Sequence, residues 1–204
     1  MSTTARTTTS GAPRTSSWRV VDIVVCSVVG VAAGVALWAW GASSSTLGAP
    51  LSLFPPLSAL LNGGYLLPAL LGALIIRKPG AALFAEVLAA LVSMLIGTQW
   101  GAPVLLWGLA QGVAAELGLA ALRYRRWGLG AAVLAGAVAG VSPGLMDTTF
   151  YYPGWEAGWK VVYLVLSVVS GALLAGALGH VVVRALARTG ALSGVAAGRS
   201  GTRV

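Results

Sequence analysis

The chain has 204 residues, of which 57% are hydrophobic and only 9% are charged, and its formal net charge is +8 at pH 7. Charged residues make up about a quarter of an ordinary soluble domain, so this composition excludes the soluble globular class and indicates an integral membrane protein. The basic residues lie between apolar segments and not in one run, which argues against a nucleic-acid-binding surface. Cys26 is the only cysteine, which excludes a disulfide framework or a cysteine-based metal site within the chain.

The chain begins with a segment, residues 1–17, that is rich in Ser, Thr and Arg and is predicted to be a disordered cytoplasmic tail. Basic residues before an apolar run are also the pattern of a cleaved signal peptide. That run, residues 20–41, is longer than a typical signal core, so a membrane span is the better interpretation. At the other end, residues 189–204 are predicted to be a flexible cytoplasmic tail.

Six apolar segments qualify as membrane spans, because a spanning helix needs about 20 mainly apolar residues. They are residues 20–41, 57–76, 80–97, 102–122, 129–146 and 161–183. The separators between them are short, so consecutive helices are expected to be antiparallel neighbours. Residues 18–188 are therefore predicted to form a single membrane domain.

The positions of the basic residues predict the orientation of this domain. Twelve of the 13 lie before the first span or after the second, fourth and sixth spans, which places them on one side if there are six spans. Lys160 alone lies on the other side. Because cytoplasmic loops carry the excess of Lys and Arg, the predicted fold class is an all-α membrane protein, a six-transmembrane-helix bundle with both termini cytoplasmic. The expected location is the cytoplasmic membrane, as a multi-pass protein.

Two carboxylates are predicted to lie inside the membrane, Glu86 in the third span and Glu116 in the fourth. Such a group costs a few kcal/mol to insert and normally faces the bundle interior with a partner. At the helical rise per residue, both lie roughly 10–12 Å from the cytoplasmic boundary, on adjacent helices. Either glutamate could instead serve packing alone. Gln111 and Glu116 fall on different stripes of their helix, so they need not line the same cavity.

Polar and aromatic side chains toward the outer ends of the spans are further candidates for contact with a ligand from outside. Aromatic residues there also suit an aromatic belt at the lipid headgroups, which is the competing interpretation. Asn62 precedes two glycines, so it could instead mark a local bend. The candidates are Trp40, Asn62, Tyr65, Gln99, Trp100, Trp107 and Gln111.

No residues in the sequence have the spacing of a metal site, a nucleophile–base pair or a Walker A phosphate loop. We therefore do not expect an enzyme, and any ATP hydrolysis would belong to a separate protein. The first predicted span carries two pairs of small residues that permit close helix contact. These pairs are Gly30 with Gly34 and Ala32 with Ala36.

The segment that starts at Asn62 carries the most specific pattern in the chain. It reads NGGYLLPALLGALIIRKPGAALFAEVLAALVSMLIGTQWG, and QGVAAELGLAALRYRRWG follows from Gln111. These motifs, among them IIRKPGAA, GTQWG, QGxxAEL and RYRR, resemble in order and spacing the YkoE family. That family is the substrate-binding S component of energy-coupling-factor (ECF) transporters for hydroxymethylpyrimidine (HMP) and thiamine.

The resemblance implies a six-helix S component that binds thiamine or HMP from outside and needs no cofactor. A transmembrane coupling subunit and cytoplasmic ATPase subunits would complete the importer. Family S components dock the coupling subunit through helix faces of small residues. The residues that would have this role are Gly30, Ala32, Gly34 and Ala36.

The implied substrate site combines acidic, amide and aromatic side chains. A carboxylate or amide can pair with an aminopyrimidine edge, and aromatic faces can hold a cation or stack on a flat ring. Pockets of this family generally open toward the outer half, whereas both glutamates are expected slightly inward of the midplane, so either the pocket reaches deep or the glutamates serve the coupling movement. Glu86 is favoured as a ligand contact, while Glu116 could bind ligand or serve the coupling movement. The implied residues are Glu86, Gln99, Trp100, Trp107, Gln111, Glu116, Tyr65, Asn62 and Trp40.

Two other classes of function compete with this interpretation. A stand-alone ion-coupled transporter of a small cationic or heteroaromatic solute could use Glu86 and Glu116 as proton sites. A membrane scaffold without a ligand would use its polar residues only to fix helix packing. The first alternative needs no ATPase for transport, and the second predicts that changes at Glu86 alter stability without any effect on small-molecule affinity.

Overall fold

The structure, a computed structural model, describes residues 17–201 and consists of helices and connecting turns, with no strand in that range. Residues 1–16 and 202–204 lie outside the described part, and with them nearly all of the predicted N-terminal tail. The disorder expected for this tail therefore stays a prediction.

In chain order the helices are α1 (Val20–Gly48), α2 (Asn62–Tyr65), α3 (Leu67–Ile76), α4 (Ala81–Ile96), α5 (Val104–Ala121), α6 (Leu129–Phe150), α7 (Ala157–Ser170), α8 (Gly179–Arg188) and α9 (Ala196–Gly201). Two 3-10 turns, Ala49–Leu53 and Pro55–Leu61, precede α2. A π-helical stretch, Gly171–Leu178, joins α7 to α8 without a break.

The described helices confirm an all-α membrane protein. Five segments are long and apolar enough to cross a bilayer: Val20–Ser44, Pro55–Ile76, Val104–Ala121, Leu129–Phe150 and Ala157–Arg188. The remaining predicted span, the third in chain order, corresponds to α4, which has only 16 residues. A helix of that length extends about 24 Å, less than the roughly 30 Å of a hydrocarbon core. The count of six crossings and the cytoplasmic position of both termini stay predictions.

The length of α4 is set by a glycine at each end. Gly80 precedes the helix with φ 87°, and Gly97 follows it with φ 100°. Both values lie in the left-handed region, where glycine carries no Cβ penalty and where helices commonly stop. The chain can therefore turn sharply at both ends of a short helix.

The second membrane segment, Pro55–Ile76, is broken into short helical pieces. Pro68 has no backbone N–H and its ring crowds the preceding turn, so the regular helix is interrupted at Leu66, between α2 and α3. This segment lies at the centre of the bundle, because 72% of it is buried against 33–39% of the other four. The free amide groups at the start of α3 therefore lie inside the protein, where only protein groups can satisfy them.

The other helices surround this central segment. α4 packs between α1 and α5, and α6 packs between α5 and α7. α6 also meets the π-helical stretch backbone to backbone at Gly136 and Gly171, where a Cβ on either residue would overlap the carbonyl oxygen of the other. Such close approach is possible only for glycine, and it replaces the larger side chains that hold helices apart in soluble bundles.

One end of the bundle is closed by ion pairs and by the C-terminal segment. Asp22 in the first turn of α1 forms salt bridges with Arg19 (3.1 Å) and Lys78 (2.7 Å). Arg19 also donates to the Gly194 carbonyl oxygen at 3.3 Å. Val195 is buried in a hydrophobic cluster that includes Cys26 of α1 and Leu74 of α3. Part of the segment 189–204 thus packs against the bundle, and its expected flexibility stays a prediction.

The small residues of α1 divide between two faces, which corrects part of the docking prediction. Gly30 and Gly34 are buried, and a Cβ on either would collide with side chains of α4. This pair therefore makes an internal contact and cannot also meet a coupling subunit. Ala32 and Ala36 are exposed on the opposite face of the helix.

The contact between α6 and the π-helical stretch yields a stability prediction with a matched control in the same helix. Gly136→Ala should lower the free energy of unfolding by about 1–3 kcal/mol, because the new methyl group overlaps backbone atoms. Gly130→Ala should not destabilise the protein, because no atom lies within 4 Å of its Cβ position. Thermal unfolding of both purified variants in detergent measures the difference. Equal melting temperatures would contradict the contact.

Candidate functional site

A cavity of about 710 Å³ lies in the part of the bundle that contains the C-terminal half of α1. Its walls come from α1, the Pro55–Leu61 turn, α2, α4, α5, α6 and α7 and from the connections after α4 and α6. The polar and aromatic residues that line it are Ser44, Ser58, Asn62, Glu86, Gln99, Gln111, Asp147, Tyr65, Trp100, Trp107, Tyr151, Tyr152 and Tyr163.

Glu86 of α4 has one carboxyl oxygen satisfied and one open. Its side chain is buried, and Oε2 accepts a 2.7 Å hydrogen bond from the Ala69 backbone N–H. That amide lies in the first turn of α3, where no helical partner exists after the break at Pro68. The second oxygen, Oε1, is buried without a hydrogen-bond partner among the described residues. Glu86 is one of the residues that line the cavity.

Asp147 of α6 lies at the centre of a network of uncharged donors. Oδ1 accepts from the Trp107 indole N–H at 2.8 Å, and Oδ2 accepts from the Tyr163 hydroxyl at 2.8 Å. The Asn62 amide nitrogen is 3.4 Å from Oδ2 and donates to Ser167 Oγ at 3.1 Å. The network joins α2, α5, α6 and α7 around one buried carboxylate.

Aromatic rings form the wall near the connections that follow α4 and α6. The centroids of Trp107 and Tyr151 are 5.2 Å apart, and Trp100 lies 5.9 Å from Tyr151 and 6.4 Å from Tyr65. Burial raises the pKa of the Tyr151 and Tyr152 hydroxyls, and the Asp147 carboxylate adds to this effect. Both hydroxyls therefore stay protonated at neutral pH and can donate hydrogen bonds. The wall offers flat apolar faces with donors at their edges.

Two glutamines complete the polar lining. Gln99, in the connection after α4, donates to the Gly41 carbonyl oxygen at 2.9 Å and to Ser44 Oγ at 3.2 Å. Its amide is thus held against the end of α1. Gln111 of α5 is buried and lines the cavity, whereas Glu116 of the same helix does not line it.

The structure brings together seven of the nine predicted binding residues and places two elsewhere. Trp40 packs its ring over Gly64 and donates from Nε1 to the Leu61 carbonyl oxygen at 3.1 Å. It supports the wall from behind and is not part of the lining. The seven that line the cavity are Asn62, Tyr65, Glu86, Gln99, Trp100, Trp107 and Gln111.

Glu116 is the second residue that lies outside the cavity, and it stabilises the start of α4. Its Oε1 accepts from the Ala82 N–H at 2.8 Å and from the Leu83 N–H at 3.4 Å, both in the first turn of α4. Its Oε2 accepts from the Tyr124 hydroxyl at 2.6 Å. Backbone donors at a helix N-terminus favour a carboxylate. These bonds therefore explain a carboxylate at position 116 without any contact to a ligand.

Asp147 is the main cavity residue that the sequence interpretation missed. The fifth predicted span ends at residue 146, which assigns Asp147 to an outer connection, whereas α6 continues to Phe150. A helical signal was present, because Gly140, Gly144 and Asp147 share one face at spacings of four and three residues. Tyr151, Tyr152 and Tyr163 were likewise not predicted as site residues.

Metal binding finds no support in the described part of the chain. No group of three or more His, Cys, Asp or Glu side chains within residues 17–201 could hold a metal ion. The two carboxylates of the cavity have separate hydrogen-bond partners. The arrangement therefore suits an organic molecule that offers hydrogen bonds and a flat ring.

The assignment of Glu116 to the start of α4 predicts an effect on stability. Glu116→Ala should lower the free energy of unfolding by about 1–3 kcal/mol, because it leaves two backbone N–H groups without an acceptor. Glu156→Ala is the control, because that carboxylate is exposed and makes no capping bond to α7. Thermal unfolding in detergent compares the two. A melting temperature unchanged in Glu116→Ala would show that the capping bonds are dispensable.

Comparison with known proteins agrees with this architecture. Residues 21–142 match the model of the family described as the permease component of an ABC-type cobalt transport system. The chain is 35% identical over 185 residues to YkoE of Bacillus subtilis (strain 168), a candidate HMP/thiamine permease protein, and the match covers 90% of this chain and 92% of YkoE. A crystal structure of an S-component of an ECF transporter has a TM-score of 0.84 and 35% identity, covering 90% of this chain and 93% of the other.

These comparisons cover most of the chain and include the helices that form the cavity. The sequence relationship and the structural similarity point to the same group of proteins. The chain belongs to the YkoE family, the S components of ECF transporters.

Proposed function

We propose that this chain is the substrate-binding membrane subunit of an ATP-driven ECF importer that takes up thiamine, its HMP precursor, or both. Its relative YkoE is a candidate HMP/thiamine permease protein, which supports the choice of ligand. The observation that carries the proposal is the cavity, in which two carboxylates, three amides and a group of aromatic rings face one space inside an apolar bundle. Polar groups are costly at membrane depth, so those that occur there usually belong to a functional site.

The chemistry of thiamine and HMP matches the groups that the cavity offers. An aminopyrimidine has an exocyclic amine that donates and ring nitrogens that accept. We assign the amine to the open Oε1 of Glu86, which is buried and lacks a partner among the described residues. Gln111 and Asn62 offer amides for the rest of the ring edge, and the Trp100 and Trp107 rings offer stacking surfaces.

The remaining predicted contacts have supporting roles in this proposal. Gln99 and Tyr65 stand beside the end of α1 and would meet the outer part of the ligand. Trp40 and Glu116 would act indirectly, Trp40 by packing over α2 and Glu116 by fixing α4.

We further propose that the membrane domain, residues 18–188, crosses the cytoplasmic membrane six times with both tails in the cytoplasm. Twelve of 13 basic residues then lie on the cytoplasmic side, as the positive-inside rule requires. A separate coupling subunit and cytoplasmic ATPases would provide the energy. Ala32 and Ala36, exposed on α1, remain as candidates for the coupling contact.

The first test is ligand binding by the purified protein. Thiamine or HMP should quench the fluorescence of the eight tryptophans, since Trp100 and Trp107 line the cavity. Glu86→Gln should weaken binding by about tenfold or more, because an amide N–H replaces the acceptor of a ligand amine while the bond to Ala69 can persist. Isothermal titration calorimetry measures both affinities.

Glu156→Gln is the matched control, because it removes an exposed carboxylate outside the cavity and should bind both compounds as the wild type does. If neither compound binds the wild-type protein, the proposed function is wrong. Reconstitution in lipid vesicles then distinguishes an ATP-driven importer from an ion-coupled carrier. Uptake driven by a pH gradient without ATPases would favour an ion-coupled carrier.

Membrane orientation can be tested at two glycines that lie in connections on opposite sides. Gly154 and Gly128 are both exposed, with no atom within 4 Å of their Cβ positions, so each tolerates a cysteine. With six crossings, Gly154→Cys should react with a membrane-impermeant maleimide in intact cells, and Gly128→Cys should react only after the membrane is opened. The wild type is the control, because its single Cys26 is buried. Labelling of both variants in intact cells would contradict the topology.

A further inference from the structure

The end of the last membrane segment carries basic side chains along one side of its helix. His180, Arg184 and Arg188 of α8 follow one another at intervals of four residues, so they lie in one row along the helix. The row extends about 12 Å along the helix axis. It begins inside the apolar segment Ala157–Arg188 and ends at the last residue of that segment.

The end of α3 adds a fourth basic group to this row. α3 packs against α8, and both Arg77 and Arg184 lie within electrostatic range of His180. The Arg77 side chain is half-buried, and its Nε donates to the Leu74 carbonyl oxygen at 3.3 Å, which holds the guanidinium at the last turn of α3. We call these four residues, Arg77, His180, Arg184 and Arg188, the basic patch.

No carboxylate of the chain balances the two arginines of α8. All five acidic residues belong to the described part of the chain, and both salt bridges found there involve Asp22, which pairs with Arg19 and Lys78. Arg184 and Arg188 are exposed and form no salt bridge with any residue that the structure describes. An anion outside the protein can therefore approach both guanidinium groups.

The surface next to the basic patch is apolar. Leu178, Val181 and Leu186 are exposed on the neighbouring side of the same segment. In a bilayer such side chains contact lipid acyl chains, whereas long cationic side chains extend to the level of the headgroup phosphates. The combination of a cationic row and an adjoining apolar surface matches the chemistry of a lipid with an anionic headgroup.

We propose that the basic patch binds an anionic phospholipid of the cytoplasmic leaflet. Arg184 and Arg188 hold the phosphate, because the parallel N–H groups of a guanidinium can bind two phosphate oxygens at once. His180, one helical turn deeper than Arg184, donates from its ring N–H to an ester oxygen of the glycerol. The acyl chains then lie along the exposed apolar side of the helix. The inference needs the proposed membrane orientation only to name the leaflet, and it does not depend on the proposed substrate.

Native mass spectrometry of the full-length protein in a neutral detergent tests this site. The wild type should bind phosphatidylglycerol at least about tenfold more tightly than phosphatidylcholine with the same acyl chains, because two basic side chains at one anionic headgroup add their attractions. Arg184→Gln/Arg188→Gln should lose this preference and keep its affinity for phosphatidylcholine. Arg125→Gln/Arg126→Gln is the matched control, because it removes the same charge from two exposed arginines between α5 and α6 and should retain the preference.

Equal affinity of the wild type for the two lipids would overturn the inference, and this comparison does not depend on the folding of a variant. An equal loss of preference in both double variants would also overturn it, because attraction would then follow total charge and not the basic patch. If Arg184→Gln/Arg188→Gln does not fold, a photoreactive phosphatidylglycerol on the wild type takes its place. Adducts concentrated in α8 and at the end of α3 support the site, and adducts spread evenly over the membrane helices overturn it. None of these measurements involves thiamine or HMP, so they leave the proposed function to its own test.

Discussion

The 2.7 Å hydrogen bond from the Ala69 amide to Glu86 Oε2 is the contact on which the cavity depends. A bilayer offers no water to a free backbone N–H, so an interrupted helix at membrane depth needs an acceptor from the protein. Pro68 creates the interruption, and the carboxylate on α4 supplies the acceptor. The bond holds the broken segment beside α4, and the second oxygen of Glu86 is buried without a hydrogen-bond partner among the described residues. One carboxylate thus combines a structural contact with an open acceptor.

A second glutamate, Glu116, also accepts hydrogen bonds from the first turn of a neighbouring helix, but both of its oxygens have partners within the protein. Glu116 on α5 accepts from the first turn of α4 as Glu86 on α4 accepts from the first turn of α3. The difference is that Tyr124 occupies the other oxygen of Glu116. Two glutamates on adjacent helices therefore have different chemistry, because the side chains around each carboxylate decide whether one of its oxygens stays without a partner.

Several features of the site could be read from the sequence, and the reasons for the failures are physical. Hydropathy predicted Glu86 and Gln111 inside the membrane, and helical spacing separated Gln111 from Glu116; in the structure Gln111 lines the cavity and Glu116 does not. The sequence interpretation failed for Asp147, because it ended the fifth span at residue 146, next to the charged residue, whereas α6 continues to Phe150. The pairing of that carboxylate with Trp107 and Tyr163 joins residues 40 and 16 positions away, which no local pattern indicates.

The sequence by itself determined the class of the protein, since its apolar segments and its few charged residues admit only a helical membrane protein. Its motifs also indicated the family. Only the tertiary structure decided that the small residues Gly30 and Gly34 face α4. It also decided which acidic side chains already have hydrogen-bond partners within the protein. The reason is that hydrophobicity is a property of each residue and adds along the chain, whereas a hydrogen-bond partner is chosen in three dimensions by packing between distant helices.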